Sequence, residues 1–482
     1  MAYEAVIGLE IHVQLNCETK MFCDCPNRSG DPPNLNTCPI CLWMPGAIPQ
    51  FSRDALERAA LTALALNCTI QHHSAFDQKV YYYPDLPKGF QLSQHHKPLA
   101  RDGWVDIVGE DGQPKRLRIH HVHMEEDVAK LVHETEGRTK ISLVDFNRAG
   151  SPLVEIVTEP DIRSAYEAME FLRVLRRRIR YAGTAECSME SGTMRCDANI
   201  SIRPAGSSEM NTKVEVKNMN SVRAVGSAID HEITRQTEEL EAGRPIVLHT
   251  RLWDPDHNVT TPMRGKFAGP CVPDPSVPAI ALTDEWIAQM KSRLPEMPES
   301  RCARFVSQYG LLDEEAEQMS AELDVAEFFE SVVSEQVQPR AAAQWIAARL
   351  LPALRDRGQS LADALVTPQS LAALVRMIEQ NRVSARAARE VLDIMLTEGG
   401  SPEDIVEERG FSQLGDSGEL SALLEEVLAK HADAVRNYRS GKKEAAGFLI
   451  GQVMATSGGK ANPRLVRELL EVRLSSDEAS AP

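Results

Sequence analysis

Four cysteines lie close together near the N-terminus, in the pattern Cys23-x-Cys25 followed by Cys38-x2-Cys41. Zn²⁺ binds four thiolates in a tetrahedron, and two close pairs joined by a loop let a short chain surround the ion. The second pair has the usual knuckle spacing, whereas the first pair is tighter. We therefore predict a structural zinc site, with four reduced cysteines as the alternative. Four protein ligands would leave no position for a substrate.

A segment rich in histidine and acids offers a second group of possible ligands. Its candidates are His120, His121, His123, Glu125, Glu126, Asp127 and His133. The segment lacks the H-E-x-x-H spacing of zinc hydrolases, and adjacent residues of a strand point to opposite faces. Carboxylates suit Mg²⁺, which prefers oxygen ligands. For each histidine alone, an ordinary hydrogen-bonded residue is the expected role, and we assign none to His120 or His121.

Two lysines, Lys79 and Lys88, lie in a segment dense in aromatic residues and prolines. Lysines there can meet phosphate groups as point charges. The neighbouring tyrosines 81–83 either stack on a base or belong to the core and its rim. A later arginine-rich run, 171–183, is typical of a solvated or subunit-facing helix, with contact to RNA phosphates as the sharper alternative.

These residues need strands to position them, and three segments alternate apolar with polar residues. They are 8–15, 196–203 and 212–218. In the first segment Glu10 and His12 share the polar face. Such strands form an antiparallel sheet with one dry face and one polar face. Glu155 differs because it stands among aliphatic residues, and a partly buried acid needs a cation, a metal or a hydrogen-bond donor.

The composition limits the class of protein. The chain has 482 residues and a net charge of −17, which argues against a generally basic nucleic-acid binder but not against a local basic patch. No apolar run is long enough for a membrane span, and the N-terminus lacks the cationic region of a signal peptide. Without an export signal, the ten cysteines do not predict disulfides. We expect a soluble cytoplasmic protein without membrane contact.

The composition changes near residue 295, from short strands to helical spacing. We predict an α+β fold in which a mixed domain with a mainly antiparallel sheet (1–295) precedes two helical regions, 296–399 and 400–482. Capping residues before prolines predict helices that begin at Pro368, Pro402 and Pro463. The chain has no P-loop, no dinucleotide-binding glycine motif and no hydrolase nucleophile elbow.

Long segments of the chain resemble one family, the B subunits of the amidotransferase that acts on Asp-tRNA(Asn) and Glu-tRNA(Gln). The resembling segments are VIGLEIHVQL (6–15), TKMFCDCP (19–26), NTCPICLWMPGAIP (36–49), FDQKVYYYPDLPKGFQLSQ (76–94), HMEEDVAKL (123–131), SLVDFNRAGSPLVEIVTEPDIRS (142–164), MRCDANISIRP (194–204), TKVEVKNMNS (212–221) and GFLIGQVMATSGGKANPRLVRELL (447–470). They follow the family's order and cover nearly the whole chain. The resemblance implies that residues 1–295 form a cradle-like catalytic domain, 296–399 a helical connector and 400–482 a helical tail that binds tRNA.

The resemblance implies an ATP-dependent ligase that works in a complex. ATP would activate the side-chain carboxylate of tRNA-bound Glu or Asp as an acyl phosphate, which ammonia would convert to the amide. A glutaminase subunit would supply the ammonia, and a further small subunit would complete the heterotrimer. Whether one or both mischarged tRNAs are substrates stays open. Phosphoryl transfer depends on Mg²⁺ and cations more than on a nucleophile, which agrees with the motifs present.

The resemblance also implies roles for individual residues. The Mg²⁺ ligands would be His12, Glu125 and Glu155. The other catalytic positions would be Glu10 for a second shell or for ammonia, Lys79 and Lys88 for phosphate, and Tyr82 for the shape of the pocket. Weaker candidates on the same polar sheet are Asp197 and Lys217. The tail would touch the outer corner of tRNA through Arg439, Lys442, Lys443 and Lys460, whose alternative is a solvated helix end.

One segment, 266–278, departs from the family pattern. The acid-and-tyrosine core that the family carries there is missing, and only the Pro273-Asp274-Pro275 frame survives. This departure suggests a second hypothesis, a catalytically impaired adapter that still binds tRNA. The retained residues argue against it: Glu10, His12, Glu125, Glu155 and Lys79. A third hypothesis is a metal hydrolase that uses the histidine-rich segment. The absence of the H-E-x-x-H spacing argues against it, as does a tail that resembles a tRNA-binding module.

Overall fold

A computed structural model describes residues 3–136, 139–263, 269–412, 417–440, 442, 444–458 and 461–476. The chain divides into two compact units, Met1–Pro298 and Glu299–Pro482. The first unit combines a large sheet with helices, and the second is helical throughout its described part. The predicted α+β class is therefore confirmed. The domain boundaries of the sequence analysis stay predictions.

The described part of the first unit contains the strands and four helices. The strands are β1 (Tyr3–Gln14), β2 (Thr69–Ile70), β3 (His73–Val80), β4 (Phe90–Lys97), β5 (Ala100–Val108), β6 (Pro114–Glu126), β7 (Lys130–Glu136), β8 (Thr139–Asp145), β9 (Pro152–Thr158), β10 (Met194–Pro204), β11 (Val214–Met219), β12 (Thr250–Asp254), β13 (Val259–Pro262), β14 (Cys271–Pro273) and β15 (Ile280–Ala281). The helices are α1 (Arg53–Ala65), α2 (Ala165–Tyr181), α3 (Val222–Glu241) and α4 (Asp284–Ser292).

Most strands join one sheet, in the order β13-β12-β11-β10-β1-β9-β6-β4-β3-β14. Strand β5 pairs with β6, β2 pairs with β5, and β15 pairs with β3. The pairings are antiparallel except for β11 with β12. Strands β7 and β8 form a separate hairpin. Strand β1 thus lies inside the sheet, between β10 and β9, and holds the site residues away from the edges.

The alternation that predicted β1 decides which face of the sheet is dry. From Ala5 to Val13 its odd-numbered residues are buried, and they join one hydrophobic core with residues of α1, α2 and α3. Burial of this apolar surface is the main favourable contribution to folding. From Gly8 to Gln14 the even-numbered residues, including Glu10 and His12, lie on the opposite and partly exposed face. The same alternation holds along β10 from Met194 to Ile200.

The second unit consists of short helices. They are α5 (Pro298–Tyr309), α6 (Asp313–Met319), α7 (Leu323–Ser334), α8 (Pro339–Trp345), α9 (Leu351–Asp356), α10 (Pro368–Glu379), α11 (Ala385–Glu398), α12 (Pro402–Arg409), α13 (Ser417–Lys430), α14 (Ala432–Arg439), α15 (Glu444–Thr456) and α16 (Pro463–Ser476), with a π-helical turn at Ile346–Leu350 between α8 and α9. Helices α5 to α12 share one hydrophobic core, and α13 to α16 share another. No helix among the described residues could cross a membrane.

The three predicted helix starts are confirmed. Helices α10, α12 and α16 begin at Pro368, Pro402 and Pro463. The residue before each proline caps the helix: Thr367 and Ser401 accept backbone N–H groups through their hydroxyls, and Asn462 Oδ1 accepts one at 2.9 Å. These caps satisfy donors that have no partner within the first turn.

Candidate functional site

Four side chains form a row across the sheet. On strands β6, β9, β1 and β10, the directly opposed residues are His123, Glu155, His12 and Arg195. Directly opposed residues of antiparallel strands point to the same face. Glu125, two residues beyond His123 on β6, reaches His12 from the neighbouring position. The strand register therefore brings together His12, Glu125 and Glu155, which lie far apart in the sequence.

His12, Glu125 and Glu155 form a compact cluster whose ligand atoms lie within 4.8 Å of one another. His12 Nδ1 is 2.8 Å from Glu125 Oε1 and 3.8 Å from Glu155 Oε2. Both carboxylates are buried, and Glu125 Oε2 has no hydrogen-bond partner in the described part of the chain. An unpaired buried carboxylate oxygen is costly and calls for a cation. Two carboxylates and an imidazole fit a divalent metal ion, with oxygen as the ligand that Mg²⁺ prefers.

The charges of the cluster depend on one another. Burial would lower the pKa of His12, but Glu125 and Glu155 outweigh burial and raise it to about 9. Burial would raise the pKa of Glu155, but the charges and hydrogen bond of His123 and the charge of His12 hold it well below its ordinary value. The carboxylate of Glu155 is therefore kept ionised, as a metal ligand must be.

Lys79 approaches the cluster from β3. Burial disfavours its ammonium, but the nearby carboxylates of Glu125 and Glu155 raise its pKa overall. The ammonium makes no hydrogen bond to another side chain among the described residues. Lys79 is therefore a charged group held beside the cluster and able to meet an anion.

Sequence reasoning gave no role in the site to two residues of this row. His123 is buried, and its Nε2 lies 3.2 Å from Glu155 Oε2. Arg195 stands opposite His12 on β10, and its half-exposed guanidinium pairs with the buried Asp127. Both residues lie in segments that resemble the family, 123–131 and 194–204. Only the register of the four strands shows that they flank His12 and Glu155. Once β6 and β10 are known to share a sheet with β1, the alternation of side chains along each strand indicates that His123 and Arg195 lie on the same face as His12.

A second acidic group lies one step along the same face. Carboxylate oxygens of Glu10, Asp197 and Glu215 come within 4.8 Å of one another. The Lys217 ammonium pairs with Asp197 and lies 2.8 Å from Glu215 Oε1. Burial and the charge of Glu155 raise the pKa of Glu10, although Asn199 donates a hydrogen bond to it. The weaker sequence candidates, Asp197 and Lys217, thus lie beside Glu10.

Two predicted catalytic residues lie in other surroundings. The Lys88 ammonium pairs with Glu126 and lies 5.5 Å from the ring centres of Trp43 and Phe90. Only 5% of the Lys88 side chain is exposed. Because its charge is already neutralised in an aromatic pocket, the structure does not group Lys88 with Lys79 as a free phosphate contact. The Tyr82 side chain is exposed and lies over Gly89 rather than in a formed pocket.

The four predicted zinc ligands come together in the folded chain. The sulfur atoms of Cys23, Cys25, Cys38 and Cys41 lie within 4.8 Å of one another, and all four are free thiols. The backbone N–H of Cys38 donates to Cys41 Sγ at 3.2 Å. This donor set has the identity and closeness that a four-thiolate Zn²⁺ site requires.

A buried lysine stands behind the thiol cluster. The Lys20 side chain is fully buried, and its ammonium donates to the carbonyl oxygens of Asn36 at 2.8 Å and Phe146 at 3.2 Å. Its Nζ lies 3.7 Å from Cys41 Sγ. A hydrogen bond from Cys23, with the charge of Lys20 as a further cause, lowers the pKa of Cys41 to about 5. A buried cation thus faces a sulfur whose lowered pKa favours the thiolate.

The predicted tRNA contacts are only partly within the described residues. Arg439 is the last residue of α14, and Lys442 is exposed just beyond it. Lys443 and Lys460 lie outside the described residues.

The segment that departs from the family pattern is described from residue 269 onward. Its strand β14 pairs with β3 so that Cys271 lies opposite Lys79. Asp274 fixes the following turn, because its Oδ1 accepts the N–H groups of Ser276 at 2.7 Å and Val277 at 2.8 Å. Its Oδ2 accepts Gln78 Nε2 at 2.6 Å. The surviving Pro-Asp-Pro frame therefore anchors this segment to the strand that carries Lys79.

The chain is similar to known proteins along its whole length. Residues 5–288 match the family model for the GatB/GatE catalytic domain, and residues 327–474 match that for the GatB domain. The chain is 61% identical to one of the B subunits of the aspartyl/glutamyl-tRNA(Asn/Gln) amidotransferase, that of Syntrophus aciditrophicus, over 99% of this chain and 100% of the relative. The corresponding B subunit of Geotalea uraniireducens is 45% identical over 98% of this chain and all of its own. That of Carboxydothermus hydrogenoformans is 42% identical over 98% of this chain and 99% of its own. The match of well over half the chain to one family model, together with these full-length relatives, means that the chain belongs to the GatB/GatE family.

Proposed function

We propose that this chain is the transferase subunit of a tRNA-dependent amidotransferase, a carbon–nitrogen ligase that acts as part of a glutamine-hydrolysing complex. It converts Glu-tRNA(Gln), Asp-tRNA(Asn) or both to the amidated forms. The observation that carries the proposal is the cluster of His12, Glu125 and Glu155 beside Lys79 on an open polar face. The full-length relatives are B subunits of the aspartyl/glutamyl-tRNA(Asn/Gln) amidotransferase, which supports the choice of substrate.

The reaction has two steps. An oxygen of the substrate carboxylate attacks the γ-phosphorus of ATP, the bond to the β-phosphate oxygen breaks, and ADP leaves with an acyl phosphate remaining. The nitrogen of ammonia then attacks the acyl carbon, inorganic phosphate leaves with the bonding electrons, and the nitrogen loses a proton. Positioning and charge stabilisation dominate such phosphoryl transfers, so no protein nucleophile is needed.

His12, Glu125 and Glu155 would hold Mg²⁺, which when bound supplies positive charge to the ATP phosphates. Lys79 and Arg195 stand on either side of this cluster and would bind the anionic oxygens of phosphate. His123 donates toward Glu155 and acts as a positioning residue for it. Lys88 holds Glu126 instead of binding phosphate. Tyr82, whose side chain is exposed, would close on the bound substrate.

Glu10 would receive the ammonia. It lies on the same strand face as His12, and Asn199 Nδ2 donates to its Oε1 at 2.8 Å. A carboxylate fixed in this way can orient ammonium or ammonia toward the acyl carbon through hydrogen bonds. The nearby ammonium of Lys217 is already paired with Asp197, so it leaves Glu10 free for this role.

The partners follow from the same proposal. A glutaminase subunit would make ammonia, and a small third subunit would join the two. The tail would bind mischarged tRNA through Arg439, Lys442, Lys443 and Lys460. The cysteine cluster would hold a structural Zn²⁺ away from the reaction. We place this complex in the cytoplasm, where aminoacyl-tRNAs are used.

The decisive experiment uses the chain co-expressed with its glutaminase and small subunits and supplied with ATP and free ammonium. Ammonium bypasses the glutaminase and therefore tests this chain's own site. We expect conversion of Glu-tRNA(Gln) or Asp-tRNA(Asn), and we expect Glu125→Ala and His12→Ala to abolish it. Glu314→Ala, at an exposed position of α6, is the matched control and should convert at the wild-type rate.

The departure at 266–278 makes the impaired adapter the competing function. A folded complex that binds tRNA but converts neither substrate would favour the adapter. The anchoring of residues 271–273 against β3 supports the catalytic alternative, because the edge beside Lys79 is closed by paired backbone.

A further inference from the structure

Glu126 is a buried acid beside the metal-ligand cluster of His12, Glu125 and Glu155, and no step of the proposed reaction passes through it. It follows Glu125 on β6, so its side chain points to the opposite face of the sheet. There it pairs with the Lys88 ammonium, and only 5% of the Lys88 side chain and 6% of the Glu126 side chain are exposed. Desolvation offsets most of the attraction in such a pair, but the pair fixes the geometry of both groups.

Two further hydrogen bonds hold Glu126 and with it the end of β6. The backbone N–H of Leu92 donates to Glu126 Oε1 at 2.9 Å, and Gln91 Nε2 donates to the Glu126 carbonyl oxygen at 2.7 Å. Glu125 lies one residue earlier, and its Oε1 is 2.8 Å from His12 Nδ1. The contacts of Glu126 therefore restrain the backbone that carries Glu125.

Three aromatic rings surround the Lys88 ammonium. Their centres lie 5.5 Å away for Trp43 and Phe90 and 5.9 Å away for Phe22. Rings at this distance attract an ammonium through their electron-rich faces. Trp43 and Phe90 also pack edge to face, with ring centres 5.4 Å apart. The rings therefore determine where the ammonium stands, and through it where Glu126 stands.

Two of these three rings belong to the segments that carry the thiol cluster. Phe22 directly precedes Cys23, and Trp43 lies two residues after Cys41. The backbone φ of Trp43 is +52°, which bulky residues rarely adopt, and its N–H donates to the Ile40 carbonyl oxygen at 2.9 Å. Such a conformation persists only where the surrounding structure holds it. The position of the Trp43 ring thus depends on the folded turn that carries the cysteines.

The space between the thiol cluster and the ion pair is closed. A cavity of about 10 Å³ lies there, lined by Cys23 and Cys41 as well as by Lys88 and Glu126. A single water needs about this volume, so the cavity is too small for a substrate. Side chains packed this closely transmit a displacement, because the interior has little free volume to absorb it.

Backbone hydrogen bonds join the same two regions. The N–H of Met21 donates to the Gly150 carbonyl oxygen at 2.8 Å, and the N–H of Gly150 donates to the Asp127 carbonyl oxygen at 2.9 Å. The Asp127 carboxylate in turn pairs with Arg195, which stands opposite His12. The segment that carries the thiols therefore reaches the row of site residues through its backbone as well as through its rings.

We infer that the ion pair of Lys88 and Glu126 is a positioning element that makes the orientation of Glu125 depend on the folded thiol cluster. With the cluster intact, the rings hold the ammonium, the ammonium holds Glu126, and Glu125 faces His12. Loss of a thiol or of a ring releases Glu125 and weakens the binding of a divalent ion to the metal-ligand cluster. The inference rests on the proposed function for the identity of the ligands, but it is measurable without turnover.

The test measures Mn²⁺ binding by electron paramagnetic resonance in the complex with the glutaminase and small subunits. Lys88→Met should raise the Kd for Mn²⁺ about tenfold, as loss of a partner behind a metal ligand commonly does. Lys88→Arg keeps the charge and should recover most of the loss. If Lys88→Met alone fails to fold, combining it with Glu126→Gln leaves no unpaired buried charge and should show the same loss.

Lys115→Met is the matched control for Lys88→Met. Lys115 lies near the other end of β6 and also forms an ion pair, with Glu167. Its removal should leave the Kd for Mn²⁺ within about twofold of the wild-type value, because distant sites act independently.

Two further variants test the link to the thiol cluster. Trp43→Leu leaves all four thiols in place, whereas Cys38→Ala removes one and should lower the zinc content. Both should raise the Kd for Mn²⁺ several-fold. Adding Cys38→Ala to Lys88→Met should weaken binding by less than about a further twofold, because both changes act through one path. Trp286→Leu, at another partly buried tryptophan of the same core, is the control. If Cys38→Ala fails to fold, Trp43→Leu alone decides the link.

Three results would overturn the inference. A wild-type Kd for Mn²⁺ in Lys88→Met would mean that the pair does not position Glu125, and a raised KM for ATP would then identify Lys88 as a phosphate contact. Weak binding in Lys88→Met but not in Trp43→Leu, or losses that multiply when Cys38→Ala is added, would mean that the pair acts independently of the thiols. An equal loss in Lys115→Met would mean a general loss of stability.

Failure of the proposed function would look different. A wild-type complex that binds Mn²⁺, loses it in His12→Ala and yet converts neither tRNA would overturn that function. The comparison between Lys88→Met and Lys115→Met would still decide the positioning role.

Discussion

His123 Nε2 lies 3.2 Å from Glu155 Oε2, on neighbouring strands and in direct register. The imidazole must carry its proton on Nε2 to donate to this carboxylate. Such a contact fixes the orientation of Glu155 toward His12, the next residue of the row. Partners of this kind commonly change metal affinity by about 10–100-fold when they are removed.

We therefore predict that His123→Leu raises the Mg²⁺ concentration needed for half-maximal activity by about tenfold or more. His123→Gln should recover much of the loss, because its amide can donate from a similar position. Mn²⁺ binding followed by electron paramagnetic resonance measures the affinity without turnover. His133→Leu, at an exposed position, is the control. A fall in kcat with unchanged Mn²⁺ affinity would contradict a positioning role.

The lysine behind the thiol cluster gives a second prediction. A site of four thiolates and one Zn²⁺ carries net negative charge, and the fully buried ammonium of Lys20 offsets part of it. Lys20→Met keeps the length of the side chain but removes the charge and the hydrogen bonds to Asn36 and Phe146. We expect a loss of about 3 kcal/mol or more in the free energy of unfolding, because the buried carbonyl oxygens lose their donor and the thiol cluster loses its neighbouring cation.

Zinc content separates this effect from simple loss of packing. The wild-type chain should hold one zinc per molecule by mass spectrometry of the metal, and Lys20→Met should release it faster to a chelator. Lys115→Met is the control. Lys115 is partly exposed, and both it and its partner Glu167 lie far from the four cysteines in the sequence. Undiminished zinc retention in Lys20→Met would show that the lysine serves packing alone.

The sequence predicted those parts of the site that repeat a local pattern. Alternation placed Glu10 and His12 on one face of β1, and the paired cysteines indicated their cluster, because both signals lie within a few residues. The α+β class followed from the change of periodicity along the chain. The resemblance to the family supplied Glu125 and Glu155, which no local pattern joins to His12.

The remaining features depend on contacts between distant segments. Lys88 lies in the segment between β3 and β4, and its ammonium pairs with Glu126 beside the rings of Trp43 and Phe90, residues from other parts of the chain or from the next strand. Arg195 becomes a neighbour of His12 only because β10 pairs with β1 at one register. Register follows from the packing of a whole sheet, so neither placement could be predicted from spacing alone.

Asp274 gives a third prediction, on the segment that departs from the family pattern. Asp274→Ala removes the acceptor of two backbone N–H groups and of Gln78 Nε2. The expected cost is about 2 kcal/mol, because donors at a buried turn lose their partner. Hydrogen–deuterium exchange should accelerate in residues 269–278 and in β3. Asp284→Ala, at an exposed helix start, is the control. Unchanged exchange near Lys79 would mean that the Pro-Asp-Pro frame does not secure this edge.

A buried acid far from the site makes the stability of the first unit dependent on pH. Glu232 on α3 is fully buried; Arg235 Nε donates to its Oε2 at 3.0 Å, and Gln236 Nε2 donates to its Oε1 at 3.0 Å. Burial alone would raise the pKa of Glu232, but these donors and Thr260 hold it below its ordinary value of 4.5. The folded state therefore binds a proton here less readily than the unfolded state does.

The sign of the pH effect follows from that lowered pKa. The contribution of Glu232 to stability is fully present above about pH 4.5 and is lost as the pH falls through the lower pKa of the folded state. We predict that Glu232→Gln lowers the free energy of unfolding by about 2 kcal/mol at pH 7 and by less at acid pH, because it removes a charged acceptor. Urea unfolding between pH 3 and 7, followed by tryptophan fluorescence, measures the difference. Glu241→Gln, exposed at the end of the same helix, should keep the wild-type slope. A difference between Glu232→Gln and the wild type that stays constant over this range would mean that the carboxylate is not what stabilises α3.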